Sequence, residues 1–212
     1  QAFPDAQSAG EKNNIKVLYG TEFYVVNDKR EDAHFIYNPS DRKLATSNFI
    51  IFDTETTGLS CRYDRLIEFG AVKVSPSGQV LDEIDFFINP DTKLSEFSIK
   101  VSHITQDMVD HGHPIKKALA MILEFFGDDI LVAHNAAFDY DFLNEALKNN
   151  GLAPIQNPVI DTMQLSRYLY PEMRSHREEA LASKLGVPFD KEGAHRANYD
   201  AEHLGKIFEV ML

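Results

Sequence analysis

Apolar residues follow strand-like patterns in five short segments beyond residue 47. The segment Asn48 to Thr54 is a nearly continuous apolar run, which is typical of a strand buried on both faces. A turn at Pro76-Ser77-Gly78 separates the next two segments, so the first three strands are predicted to form a meander. The five predicted strands are Asn48 to Thr54, Leu66 to Val74, Val80 to Ile88, Ile130 to Ala133 and Pro158 to Ile160.

Helical periodicity follows these first strands. Pro114 to Phe126 carries apolar residues at helical spacing, and Gly127 ends the pattern. Further helices are predicted at Phe138 to Lys148 and at 162–169, 177–185 and 197–211. Strands joined by hairpins and then interleaved with helices predict an α/β fold, in which helices flank a mixed five-stranded sheet.

The first 46 residues have a different pattern. Residues 1–12 are small and polar, which predicts a flexible arm. Lys16 to Val26 alternates apolar and polar residues, and we expect this β-like segment to pair with His34 to Tyr37 across a turn. A polar stretch from Asn38 then resembles a linker. We therefore predict an N-terminal appendage at 1–46 and a main domain at 47–212.

Composition excludes several classes of protein. Hydrophobic residues make up 43% and charged residues 25%, as in globular proteins with a substantial core. No apolar run approaches the roughly 20 residues that span a bilayer, so no membrane partner is expected. The single cysteine, Cys61, excludes an internal disulfide and a Cys-based zinc site. The chain starts at Gln1 and stops inside a helical pattern, which suggests a piece of a longer protein.

The charge of the chain is acidic and unevenly distributed. The net charge of −12 has the wrong sign for a protein that coats nucleic acid. Residues 1–48 hold 6 basic and 7 acidic residues, whereas residues 49–212 hold 15 and 26. The acidic excess therefore lies in the main domain, and any acids on apolar faces there would need cations.

Four acidic residues occupy positions that the pattern assigns to buried faces. Asp53 and Glu55 are two apart in a strand, so they project from the same face. Asp139 and Asp200 each share the apolar face of a predicted helix. Converging buried carboxylates must be protonated, paired with bases or bound to metal. Oxygen ligands without clustered Cys or His favour Mg²⁺ or Mn²⁺, and four carboxylates can hold two ions.

Each acid also has a structural interpretation. Asp53 and Glu55 could be solvated residues at a strand end, and Asp139 could cap its helix. Asp200 could pair with Arg196, four residues earlier. His195, five residues before Asp200, is either a general base for a metal-activated water or a surface histidine. The convergence of four acids from three separate elements favours the functional interpretation.

Three segments resemble the motifs of the DEDDh 3′→5′ exonucleases, and the resemblance covers residues 48–212. They are Asp53 to Gly58 (DTETTG), His134 to Asp139 (HNAAFD) and His195 to Asp200 (HRANYD), and Val101 to Thr105 resembles the His-containing segment of that family. The resemblance implies a ribonuclease H-like fold, with the four acids as ligands of two ions and His195 as base.

The same resemblance implies contacts to the terminal nucleotide of a single-stranded DNA 3′ end. The residues concerned are Thr54, Leu59, His103, Asn135 and Phe138. Leu59 and Phe138 could equally be core residues. Four cations could guide the strand or simply form a solvated helical face, namely Arg167, Arg174, Arg177 and Lys184.

Within this family, the chain looks closest to proofreading domains embedded in C-type replicative DNA polymerases. Leu18 to Glu22 resembles the PHP-domain sequence of such polymerases, which makes residues 1–46 a possible remnant of an adjoining domain. The resemblance implies proofreading, polymerase domains as partners and a cytoplasmic location. An RNA-trimming exonuclease of the same fold, or a non-catalytic module of a polymerase assembly, are the alternatives.

Overall fold

The computed structural model describes residues 2–16, 36–189 and 196–212, apart from the side chains of residues 2–6. The chain divides into two compact units, residues 1–32 and 33–212. In the first, α1 (Ala2–Lys12) is a helix where the sequence predicted a flexible arm. Pro4 is tolerated there because amides of a first turn lack intrahelical partners. The predicted β-like segment lies outside the described residues from Val17 onward.

The described part of the second unit contains a seven-stranded sheet, so the expected number of five strands is wrong. The strands lie in the order β1-β7-β6-β2-β3-β4-β5. The two additional strands, β1 and β5, have only two residues each, which is too short to give an alternation pattern. The strands are β1 (Ile36–Tyr37), β2 (Phe49–Thr56), β3 (Leu66–Val74), β4 (Val80–Asn89), β5 (His113–Pro114), β6 (Ile130–Ala133) and β7 (Val159–Asp161).

The pairing directions confirm a mixed sheet. β2, β3 and β4 form the predicted antiparallel meander, whereas β6 runs parallel to both β2 and β7. β1 pairs antiparallel with β7, so Ile36 and Tyr37 join the main sheet and the structural division of the chain falls before residue 46.

Helices cover the sheet, and two of them were not predicted. The helices of the second unit are α2 (Glu96–Ser102), α3 (Gln106–Asp110), α4 (Ile115–Phe126), α5 (Ala137–Asn149), α6 (Thr162–Leu169), α7 (Glu178–Leu185) and α8 (Ala197–Met211). A 3₁₀ turn spans Leu44–Thr46. α2 and α3 are too short to show periodicity, and the side chains of Ser95 and Thr105 cap them. In the described ranges, no helix is long and apolar enough to cross a membrane.

The core consists of two layers on opposite faces of β2. Ile50 and Phe52 face a cluster that includes residues of α4 and α5, whereas Phe49 and Ile51 face a cluster that includes residues of α8. This alternation continues towards the end of the strand. It places the odd-numbered residues 53 and 55 on the α8 face and Thr54 on the α5 face.

Candidate active site

Three acidic side chains meet at the end of β2. One carboxylate oxygen from each of Asp53, Glu55 and Asp200 lies within 4.8 Å of the other two, a spacing that can hold a metal ion. Asp53 and Glu55 reach this point because they share one face of the strand. Asp200 comes from the first turn of α8, which packs on that face.

Gly70 brings the start of α8 against the sheet beside Asp53. It pairs with Asp53 across β2 and β3. A Cβ atom at Gly70 would lie 2.3 Å from the carbonyl carbon of Ala197 and from the amide nitrogen of Asn198. Only glycine therefore permits this approach. The Asp200 amide donates to the Arg196 carbonyl at 2.9 Å, which places the Asp200 side chain one turn into the helix.

Glu68 anchors the same end of α8, and sequence reasoning missed it. This fully buried side chain accepts hydrogen bonds from Arg196 Nε at 2.9 Å and from the Ala197 amide at 3.0 Å. The Arg196 guanidinium also lies 5.2 Å from the centre of the Phe87 ring. Arg196, the partner considered for Asp200, thus forms an ion pair with Glu68. The available signal was one acid among the apolar residues of the first half of β3.

Asp139 approaches from the opposite face of β2. Its Oδ1 accepts hydrogen bonds from the Thr54 amide at 3.0 Å and the Thr54 hydroxyl at 2.6 Å. The N-cap of α5 is Ala136, without a side-chain cap bond, so Asp139 holds the end of β2 rather than capping its helix. The structure therefore brings all four predicted acids to one strand end, with three in mutual reach and Asp139 beside them.

Asp161, at the end of β7, fixes the loop that leads into α5. Its Oδ1 accepts hydrogen bonds from the amides of Asn135 at 3.1 Å, Met163 at 2.9 Å and Gln164 at 3.2 Å. Asn135 has a left-handed backbone with φ of 60°. One carboxylate thus caps α6 and sets the turn before Asp139. No pattern in the sequence pointed to this role, since Asp161 lies just past the predicted strand Pro158 to Ile160.

The acids line an open cleft of about 480 Å³. Of the predicted nucleotide contacts, Thr54, Asn135 and Phe138 line it, and the Phe138 ring also packs at a tilt against the Phe142 ring. Leu59 and His103 are exposed residues outside its lining. The cleft is lined by Asp53, Thr54, Glu55, His134, Asn135, Phe138, Asp139, Arg177, Glu178, Glu179, Phe189 and Asp200. His195 lies outside the described residues.

Of the four cations considered as strand guides, Arg177 is the one in the cleft lining. Lys184 pairs with Glu172 at 2.9 Å, and Arg167 donates to Gln164 at 3.0 Å, as expected of a solvated helical face. Four further cleft residues were not predicted as site residues, namely His134, Glu178, Glu179 and Phe189. His134 lies in the segment His134 to Asp139, and Glu178 and Glu179 lie in the predicted helix 177–185.

Burial and mutual repulsion disfavour the ionised form of these acids. Burial, followed by Asp139 and Glu55, raises the pKa of Asp53 well above its usual range. Burial and Asp200 raise the pKa of Glu55 to about 8. Burial raises the pKa of Asp139 to about 7, although the hydrogen bond from Thr54 opposes this change. The site therefore retains protons at neutral pH unless a cation replaces them.

The donor set fits a hard divalent cation. The three clustered ligands are carboxylate oxygens, which suit magnesium and manganese better than softer metals. Asp139, held by Thr54, adds a fourth carboxylate next to Asp53. Phosphate ester hydrolysis is the chemistry that such acidic sites support when cations occupy them.

Comparisons with known proteins show the family to which this chain belongs. A family model described as "Exonuclease" matches residues 50–208. The DNA polymerase III PolC-type of Latilactobacillus sakei subsp. sakei (strain 23K) is 44% identical over 205 residues, covering 97% of this chain. The chain spans about 14% of the length of that relative.

Several solved structures share the fold, among them two exonucleases bound to DNA. Exonuclease X in complex with 5′ overhanging duplex DNA has a TM-score of 0.62 and 26% identity, covering 77% of this chain and 90% of that chain. E. coli exonuclease I in complex with a dT13 oligonucleotide has a TM-score of 0.68 and 22% identity, covering 77% of this chain and 40% of that chain. The latter likeness concerns the fold alone.

Proposed function

We propose, because this chain belongs to the exonuclease family, that it removes nucleoside monophosphates from the 3′ end of single-stranded or frayed DNA. The observation that carries the proposal is the meeting of Asp53, Glu55 and Asp200 at the end of β2. Asp139 completes the set. The open cleft around these acids is suited to a flexible strand end.

We propose that the four carboxylates hold two divalent ions, Mg²⁺ or Mn²⁺. Such ions would lower the pKa of the attacking water and stabilise charge on the phosphate and the departing 3′ oxygen. His195 would accept the proton of that water, a role suited to a neutral imidazole. Glu68 and Gly70 would maintain the position of Asp200 through the start of α8.

The cleft lining suggests how the terminal nucleotide is held. Phe138 offers an aromatic surface for a base, and base stacking does not depend on sequence. Thr54 and Asn135 offer polar contacts, and Arg177 offers a cation for the phosphate backbone. Leu59 and His103, which are exposed outside this lining, would contact the nucleotide only at the cleft margin.

The PolC-type relative supports a role in a larger replicative polymerase. We propose that residues 47–212 form its proofreading domain, that residues 1–46 belong in part to an adjoining domain, and that the protein acts in the cytoplasm. The polymerase domains of the same chain would be the physical partners. Mismatched 3′ ends would then be the natural substrate, because frayed ends provide single strands.

The direct test is hydrolysis of a single-stranded DNA oligonucleotide labelled near its 5′ end. Addition of Mg²⁺ or Mn²⁺ is expected to give a ladder shortened from the 3′ end, and EDTA is expected to abolish it. A matched RNA oligonucleotide should be cleaved more slowly. Equal cleavage with and without EDTA would refute the proposal, and preference for RNA would redirect it to RNA trimming.

The role of His195 needs its own variant. His195→Ala is expected to lower kcat by about 10²-fold, since general base catalysis contributes roughly that much, while leaving metal binding intact. A metal titration by calorimetry separates the two effects. Lost metal binding would reassign His195 as a ligand.

A further inference from the structure

His203 is a buried histidine whose two ring nitrogens both face oxygen acceptors. Its side chain is 3% exposed. Nδ1 lies 2.6 Å from Glu178 Oε1, and Nε2 lies 3.0 Å from the Pro188 carbonyl oxygen. A neutral imidazole has one N–H donor and can satisfy only one of these acceptors. The geometry therefore favours the imidazolium form, which donates to both.

The charged groups around His203 support this protonation state. Glu178 of α7 raises the pKa of His203 above its ordinary value, whereas burial and Lys206 of α8 oppose the rise. Two aromatic rings enclose the imidazole. The Phe189 ring meets it edge-on with centroids 5.0 Å apart, and the Tyr199 ring stacks on it at 5.9 Å.

The two acceptors of His203 belong to one wall of the cleft. Glu178 begins α7, and Phe189 follows Pro188 in the segment beyond that helix. Glu178 and Phe189 both line the cleft. Glu178 is also close enough to Asp53 to contribute to its raised pKa. Without a cation beside it, Glu178 would add another negative charge to a cluster that already repels itself.

We infer that His203 is a positioning residue: as an imidazolium it ties Glu178 to the Pro188–Phe189 segment and balances the charge of Glu178. His203 is not proposed to touch the reacting atoms. Its kinetic consequences rest on the proposed function, whereas its protonation state and its contact to Glu178 do not.

The hydrogen bonds from His203 to Glu178 and to the Pro188 carbonyl should affect binding of the DNA strand more than the chemical step. Glu178 and Phe189 line the cleft but lie outside the carboxylate cluster. A loosened wall would weaken capture of the 3′ end, and this raises KM. The tie is complete below the ordinary pKa of histidine and is lost as pH rises through the raised pKa of His203. The wild-type KM should therefore increase over that interval.

His203→Gln tests the kinetic part. We expect KM for the oligonucleotide to rise about tenfold, equivalent to roughly 1.4 kcal/mol, with kcat changed less than about twofold. The increase of wild-type KM with pH should be absent in this variant. The double variant His203→Gln/Glu178→Gln should recover part of the loss, because it leaves no unpaired carboxylate.

A second histidine provides the matched control. His111 also faces an acid, because its Nδ1 lies 3.6 Å from Asp107 Oδ1. Its side chain is 79% exposed, however, and it does not line the cleft. His111→Gln should leave KM, kcat and their pH profiles unchanged. The inference fails if His203→Gln lowers kcat at constant KM, as a smaller active fraction would, or if Glu178→Gln gives no recovery in the double variant.

Nitrogen-15 NMR of the wild-type chain tests the structural part without any activity. Both ring nitrogens of His203 should show imidazolium shifts at pH 7, and the titration should move to lower pH in Glu178→Gln. A neutral His203 ring at pH 7 would overturn the inference even if the enzyme is active. Absence of nuclease activity together with an imidazolium would instead refute the proposed function and leave the His203–Glu178 tie standing.

Discussion

Two sets of carboxylates at the same end of the sheet have opposite surroundings. Glu68 and Asp161 are nearly inaccessible, and each is surrounded by N–H donors from backbone amides or a guanidinium. Asp53 and Glu55 have carboxylate neighbours instead, and among the described residues no donor is hydrogen-bonded to their side chains. The first set stabilises the fold, whereas the second remains available for a cation.

Glu55 and Glu68 make this contrast within one cross-strand pair. They face each other in the register of β2 and β3. Glu68 receives the amide at the start of α8 and the guanidinium of Arg196, whereas Glu55 faces Asp200. Protein donors therefore compensate the charge of Glu68, whereas no donor in the described part of the chain is hydrogen-bonded to Glu55 directly across the sheet. The charge of the cluster is left for a cation to neutralise.

The largest expected effect comes from removing one clustered charge. Asp200→Asn should lower exonuclease activity by about 10³-fold or more, because the proposed metal site would lose a ligand and the phosphate would lose its charge compensation. In EDTA, the same variant should unfold at an equal or higher temperature, since one repulsive charge is gone. Activity assays and thermal unfolding in EDTA measure the two quantities.

Glu202→Gln is the control for charge on the same helix, because Glu202 is exposed and only two residues away. It should retain activity. A fully active Asp200→Asn, or one that unfolds in EDTA at a clearly lower temperature than the wild type, would place Asp200 with the structural carboxylates Glu68 and Asp161.

The second largest effect is expected from the close contact between Gly70 of β3 and the start of α8. Gly70→Ala should destabilise the protein by about 3 kcal/mol, because its Cβ would collide with backbone atoms of Ala197 and Asn198. Displacement of α8 should also lower activity about 10²-fold through the position of Asp200. Urea unfolding and activity at saturating metal provide the measurements.

Gly205→Ala is the matched control within α8. Its nearest neighbour would be an Ile51 side-chain atom at 3.9 Å, an ordinary contact. Because alanine is the better helix former, we expect it to stabilise the protein by about 0.5–1 kcal/mol. Similar losses in both variants would mean that the close approach at Gly70 is not required.

A smaller effect is expected from a substitution of Glu68, one of the two carboxylates that are surrounded by N–H donors. Glu68→Gln should cost about 2 kcal/mol of unfolding free energy, since hydrogen bonds to charged groups contribute roughly 1.5–3 kcal/mol. Metal affinity should fall less than in Asp200→Asn, because the clustered ligands remain. Chemical denaturation combined with a metal titration would test this, and an unchanged stability would remove Glu68 from the structural set.

The sequence predicted the fold layers and the four acids because both depend on local periodicity. Asp53 and Glu55 follow from strand alternation, and Asp139 and Asp200 follow from helix faces. The hydrogen-bond donors to Glu68 and Asp161 could not be predicted in the same way. Glu68 meets the start of α8 across more than a hundred residues, and Asp161 meets Asn135 through a left-handed turn. Such contacts depend on tertiary distances, which periodicity does not contain.

The smallest expected effect is the pH dependence of stability, which should distinguish the clustered acids from Glu68 and Asp161. The pKa of Asp53 is raised well above its usual range, that of Glu55 to about 8 and that of Asp139 to about 7. The folded state therefore binds more protons than the unfolded state above about pH 4, so stability falls as pH rises towards 8. In EDTA, we expect the unfolding temperature to drop by about 5 °C between pH 5 and pH 8.

Divalent metal should cancel that decline, because a bound cation favours the ionised carboxylates. His203 and other groups with raised pKa values titrate in both series, so the difference between EDTA and Mg²⁺ isolates the cluster. Asp53→Asn with Glu55→Gln should flatten the EDTA profile. A profile that is already flat in the wild-type chain would mean that Asp53 and Glu55 are stabilised by protein donors, as Glu68 and Asp161 are.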